Sequence, residues 1–159
     1  MIAPLITFDQ IDLGEANRCL LAWAHKMGPL GRGNISQDVH YAMFEEGRPV
    51  AVALASGLVR ECVGGVGAEH LNRANTIELA RLCAVRPHLC RAALRLWREF
   101  VFPRLGYRYA MSYQDADLHN GNTYRFDGWR RIAFARGGGT DARSGRKGRD
   151  KWVWIWEAA

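Results

Sequence analysis

Two clusters of polar side chains have the types and spacing of reactive groups. Glu78 and Arg81 lie in TIELARLCAV, where Ile77, Leu79, Arg81, Cys83 and Val85 alternate with Thr76, Glu78, Ala80 and Leu82. Period-two alternation predicts a strand in the middle of a sheet, with the two charges on opposite faces. A charge in that position needs a partner, because an unpaired buried ion is costly. Glu78 has the chemistry of a base toward an amine, directly or through water, and Arg81 that of a ligand for carboxylate or phosphate. A structural salt bridge accounts for the pair equally well. The second cluster, Ser112, Tyr113, Asp115 and His119, ends a strand predicted over 107–113, where sheets of mixed proteins open toward ligands. Asp115 and His119 are four apart, so they can orient one another or share a metal with a more distant group. Phosphate-type ligands are supplied by Arg143, Arg146, Lys147, Arg149 and Lys151, set between glycines in a flexible cationic strap. His25, Lys26 and Arg32, beside another glycine-containing loop, extend the candidate binding surface, and Tyr113 offers a ring for stacking on a base.

These residues need a scaffold, and the chain is long enough for one. Its 159 residues and 17.9 kDa suit a single domain, 1–159, with the basic loop at 137–151. No apolar run approaches the roughly 18 residues of a membrane span, and no secretory signal is visible at the start. The expected compartment is therefore the cytoplasm. Cys19, Cys62, Cys83 and Cys90 form no close pair and read as buried thiols. The net charge is +6, and from Arg125 to Lys151 nine Lys/Arg face three acids, which carries the whole excess. A neutral body with a basic last quarter points to an anionic partner, such as nucleic acid or a phosphorylated cofactor, or to a solvated loop.

Periodicity and breakers predict strands over 6–8, 39–43, 50–59, 76–85, 107–113, 129–135 and 152–156, with helices over 13–27, 87–100 and 121–126. Trp152, Trp154 and Trp156 fall on one face of the last strand. The expected class is α/β: a mixed central sheet with a strand-helix-hairpin start and flanking helices.

That order resembles the GNAT superfamily of N-acetyltransferases. In that family the turn after the fourth strand binds the pyrophosphate of coenzyme A at a helix start, which implies a cofactor role for Val85, Arg86 and Arg91. In Val85-Arg86-Pro87-His88-Leu89-Cys90-Arg91-Ala92, however, Leu89 and Arg91 stand where the family has small residues, and Pro87 removes an amide. NTYRFDGW is similar to the tyrosine-containing end of many members, which implies that Tyr124 is a general acid toward a leaving thiolate, with Ser112, Asp115 and Glu78 as further catalytic candidates. More specifically, ELARLC, SYQDADLHNGNTYRFDGWRR and GGGTDARSGRKGRDKWVW resemble phage and prophage proteins of the Mom DNA-modification family of phage Mu, over residues 20–157. That resemblance implies a transferase acting on the exocyclic amine of adenine in double-stranded DNA, adding a carbamoylmethyl-type group that protects DNA from restriction. Iron has been raised as a requirement of that family, and the donor stays open. An acyl-CoA-dependent N-acyltransferase acting on a small amine or protein is the alternative, and a catalytically silent binding module a third reading.

Overall fold

The computed structural model describes residues 5–31, 38–140, 142, 145 and 147–159. Seven strands form one sheet: β1 (Ile6–Ile11), β2 (Val39–Glu45), β3 (Arg48–Gly57), β4 (Thr76–Ala84), β5 (Tyr109–Asp115), β6 (Arg130–Ala135) and β7 (Lys151–Glu157). Their spatial order is β1-β2-β3-β4-β5-β7-β6, and all neighbours are antiparallel except β4 and β5. The predicted elements are all present, and the α/β expectation holds.

Helix α1 (Leu13–Ala22) starts at Asp12, whose carboxylate accepts the Glu15 amide at 2.7 Å. The sequence predicts a helix running to 27, but it stops five residues earlier. Ala24 adopts φ +50°, and the Ala24 and His25 amides return to the Leu21 and Leu20 carbonyls at 3.2 and 3.0 Å. This left-handed termination normally uses glycine, so Ala24 carries strain. Helix α2 (Pro87–Leu96) widens into a π-helical turn, Trp97–Val101, and then tightens into a 3-10 turn, Phe102–Arg104, and these put Trp97 and Phe102 in the core as a stacked pair.

The sheet is covered on both faces. Leu20, Ala16 and Cys19 of α1 pack on Ala42, Val52, Leu54 and Cys83, while Leu94 and Trp97 pack on Ala53, Ala55, Ile77 and Leu79. Alternation along β3 explains the split: its larger residues face α1, and its alanines let α2 approach closely. On the α1 side, beyond β4, the segment 58–75 supplies Leu58, Val63, Ala68 and Leu71 against Met111, Val153 and Ile155. Trp154 is buried on the α2 side with Trp152 and Trp156 packed beside it, as expected of one strand face.

One prediction fails here. The β3–β4 register steps from Leu54 opposite Arg81 to Ala55 opposite Leu79, so Ala80 is an extra residue. A bulge shifts the alternation by one. Leu79 and Leu82 both meet the α2-side core, and Glu78 and Arg81, predicted on opposite faces, both turn to the other side.

Candidate active site

β4 and β5 pair over only three positions, Thr76 to Glu78 against Tyr109 to Met111, and then part. The parting frees backbone groups and opens a cavity of about 680 Å³ that passes through the sheet. From the α2 side it is lined by Leu79, Leu82, Cys90, Ser112 and Tyr124, and from the other by His25, Lys26, Glu78, Arg81 and Tyr113. Where the ladder ends, the Ser112 hydroxyl of β5 donates to the Leu79 carbonyl of β4 at 3.0 Å. Ser112 has one proton to give, so the Tyr124 hydroxyl, 2.8 Å away, is the donor between these two.

Tyr124 is carried by the short helix α3 (Asn122–Phe126), with its ring 5.7 Å from that of Trp154 in a stacked pair and 5.6 Å from Trp129 edge-on. Gly121 before it has φ +77°, and a Cβ there would lie 2.6 Å from Gln114 Oε1 and from the Trp154 ring, so only glycine starts this helix without displacement. Burial pushes the Tyr124 phenol up to about 12; the Ser112 hydrogen bond opposes that, while Cys90 and Glu78 add to it. Glu78 is buried at 6% exposure and lines the same cavity. Burial also pushes the Cys90 thiol up to about 11, with Cys83 adding to it.

His25, placed by the strained end of α1, accepts the Met27 amide on Nδ1 at 3.2 Å. Burial, then the charges of Arg81 and His119, hold it down at about 4. It is neutral at physiological pH with its proton on Nε2, a hydrogen-bond donor and not a base. Arg81 donates to the Gly28 carbonyl at 3.1 Å and the Ala80 carbonyl at 2.9 Å, tying the bulge to the turn after α1.

Asp115 lines the cavity with both carboxylate oxygens engaged. Its Oδ1 accepts the Asp117 and Leu118 amides, both at 3.0 Å, and its Oδ2 meets Arg149 at 3.1 Å. The net effect is to hold its carboxyl below the usual range: burial raises it, and the amide bonds and Arg149 outweigh that. It positions the 116–119 turn and Arg149. The proposed Asp115–His119 metal pair finds no third ligand, since no group of three His, Cys, Asp or Glu suited to a metal occurs among the described residues. Iron therefore has no support in this geometry.

The strap from 137 is a built stem where it is described. Gly137 and Gly148 lie so close to the opposing backbone at Gly138 and 148–149 that a Cβ on either would collide, and the Gly137 amide donates to Asp150 at 2.8 Å. Arg149 and Lys151 reach the cavity, Lys147 is exposed farther out in a bridge with Thr140, and Arg143 and Arg146 lie outside the described residues.

Val85, Arg86 and Arg91 do not line the cavity. The Val85 amide bonds to the Val50 carbonyl at 2.9 Å, Arg86 pairs with Glu45 at 3.0 Å, and Arg91 lies over the Phe126 ring at 5.2 Å. Only Val85 and Arg86 connect β4 to α2, Pro87 occupies the first helical position, and no side chain caps the end. The turn therefore has one amide fewer than an ordinary helix start, and the β4–β5 cavity opens elsewhere. Sequence reasoning missed Cys90, Arg60 and Arg136, which line the cavity. It also missed Gln114, which accepts from Trp154 Nε1 at 2.8 Å and donates to the His119 carbonyl. Residue type offered no signal for these; only the parting of the strands gathers them.

No protein-family model and no curated protein matches the chain. Solved structures do. A probable acetyltransferase from Staphylococcus epidermidis superposes with a TM-score of 0.66 at 11% identity over 98% of this chain and 100% of that one. Arabidopsis thaliana NAA60, in complex with acetyl-CoA, gives 0.64 at 12% over 96% and 98%. The Escherichia coli ribosomal-protein-S18-alanine N-acetyltransferase gives 0.61 at 12% over 96% and 94%. The fold is that of the GNAT acetyltransferases. The expectation of a Mom-like phage protein finds no support among these structures. Among the described residues no helix is long and apolar enough to cross a membrane.

Proposed function

We propose that this protein is an N-acyltransferase that moves an acyl group from a thioester, such as an acyl-CoA, to the amine of a small molecule or protein. The observation that carries this reading is that Glu78 and Tyr124 enter one cavity from opposite faces of the sheet, where β4 and β5 part. The fold shared with N-acetyltransferases supports it.

In the proposed reaction Glu78 accepts a proton from the acceptor amine, directly or through water. With the acceptor thus taken from ammonium to free amine, its nitrogen lone pair attacks the thioester carbonyl and a C–N bond forms. The adduct's nitrogen loses its remaining extra proton to water, from which Tyr124 is later reprotonated, and the C–S bond breaks. The departing sulfur takes the Tyr124 proton, which turns away from Ser112 Oγ, and Ser112 remains bound to the Leu79 carbonyl. A phenol near 12 would be a weak acid toward a solvated thiolate, but the same enclosure holds the Cys90 thiol near 11. Burial raises both groups, so a thiolate leaving into the same enclosure is likewise more basic than in water and better able to take the phenol's proton. Thiol release from acetyl-CoA with a panel of amines tests the reading. Tyr124→Phe is expected to lower kcat by about 100-fold or more while retaining the fold, and wild-type protein that releases no thiol with any amine would overturn it.

Transfer to the exocyclic amine of adenine in DNA is a second reading, favoured by one observation, the cationic stem of the β6–β7 connection beside the cavity mouth. Mass spectrometry of nucleosides from host DNA after expression separates the two: a heavier deoxyadenosine, absent with Tyr124→Phe, would favour DNA.

A further inference from the structure

The cavity is electrically one-sided. Of its lining residues, Lys26, Arg60, Arg81, Arg136, Arg149 and Lys151 are cationic, and Glu78 and Asp115 are the acids. Asp115 is committed to Arg149 and two backbone amides. Even if Glu78 is set wholly against Arg81, Lys26, Arg60, Arg136 and Lys151 have no acid left to face them among the described lining residues. They come from three separate segments: the turn after α1, the chain beyond β3, and the two sides of the β6–β7 stem. None belongs to α2, whose first position, Pro87, has no amide to offer. Arg136, Arg149 and Lys151 belong to the basic last quarter, while Lys26, Arg60 and Arg81 come from the part of the chain whose acids and bases balance, so the fold and not the chain's net charge gathers them here.

We propose that the mouth of the cavity away from α2 receives a phosphate-bearing amine, with Arg60, Arg136 and Lys151 binding the phosphate while the amine reaches Glu78. This rests on the N-acyltransfer reading and names its acceptor class. A single carboxylate is matched by one arginine fork, whereas separated cations around an open rim match the doubly charged phosphate monoester or successive phosphates of a polynucleotide. Wet, exposed charges gain little from a lone monovalent ion and more from such a polyanion. The depressed value of His25, to which Arg81 contributes, agrees with a positive field on this side.

The test measures binding of inorganic pyrophosphate, a mononucleotide and a short DNA duplex by titration calorimetry, for the full chain and two double variants. Arg60→Gln/Arg136→Gln removes two rim charges; Arg48→Gln/Arg104→Gln removes two exposed charges that do not line the cavity. The expected result is phosphate binding by wild type, weakened about tenfold or more by the rim pair and unchanged by the control pair. For the duplex, the log-log salt slope should fall by about two in the rim pair. Preference for the mononucleotide identifies a small phosphorylated acceptor, preference for the duplex a polynucleotide, and both support the site. No binding of any phosphate probe by folded wild type, equal weakening by the two pairs, or coenzyme A displacing the probes through the α2 side would overturn it. Thiol release with a phosphate-free amine, indifferent to added phosphate, overturns this inference and leaves N-acyl transfer standing. Phosphate binding without thioester consumption leaves the anion site standing but overturns N-acyl transfer and, with it, the acceptor role proposed for that site.

Discussion

The connection from β4 to α2 and the connection from β6 to β7 flank the same cavity and are built on opposite plans. The first is two residues long, contains no glycine, begins its helix with Pro87, and turns Arg86 outward to Glu45. The second is a glycine-rich hairpin whose backbones touch at Gly137 and Gly148, and it directs Arg136, Arg149 and Lys151 to the cavity. A helix start binds anions through free amides, and Pro87 removes one of them here. A closed hairpin stem carries side-chain charge instead. The difference teaches that in this chain the hairpin stem and not the helix start brings cations to the cavity.

The largest effect is expected from opening the stem. Gly148→Val forces a branched side chain into the Gly138 backbone, so the phosphate response and the activity should both be lost, with a stability decrease of about 2–4 kcal/mol by urea unfolding. If binding survives with the stem so disturbed, the cationic plan is not the one that matters. Next is the acid sensitivity of the same side. His25 is held down at about 4 in the folded protein against 6.5 unfolded. Its contribution to stability is therefore fully present above about pH 6.5 and lost as pH falls toward 4, at most about 3 kcal/mol for one such group. His25→Gln should flatten the stability–pH curve in that window.

A smaller effect is expected at Ala24. Ala24→Gly relieves a left-handed alanine and should raise stability by about 0.5–1 kcal/mol in thermal unfolding, while loosening the turn that holds His25. The smallest effect bears most directly on the two plans. Because the α2 start has lost the Pro87 amide and turns Arg86 to Glu45, kcat/KM for acetyl-pantetheine should fall within about tenfold of that for acetyl-CoA, a difference of about 1.4 kcal/mol or less. A much larger loss on removing the nucleotide would show that the β4–α2 connection grips it after all.

Some of this was legible before folding was considered. Alternation and breakers predicted each strand and helix, and the tyrosine motif pointed to Tyr124, which lines the cavity beside Ser112. The bulge at Ala80 was not legible, because a run such as LARLC reads as unbroken alternation until its register against β3 is known. Asp115 looked reactive because carboxylates near a strand end often are, yet the same position lets it cap its own turn and hold Arg149. Arg60 and Arg136 looked like ordinary surface charges, since nothing in their local sequence marks a cavity.

The linear pattern by itself determined which segments extend, which coil and which faces bury, because side-chain period and turn chemistry are local. It also determined that positive charge collects in the last quarter of the chain. Tertiary structure alone decided that β4 and β5 separate after three pairs, that a bulge brings Glu78 and Arg81 to one side, and that a hairpin stem sets cations around the opening. Those outcomes depend on register and on the meeting of residues far apart in the chain, and no local spacing encodes them.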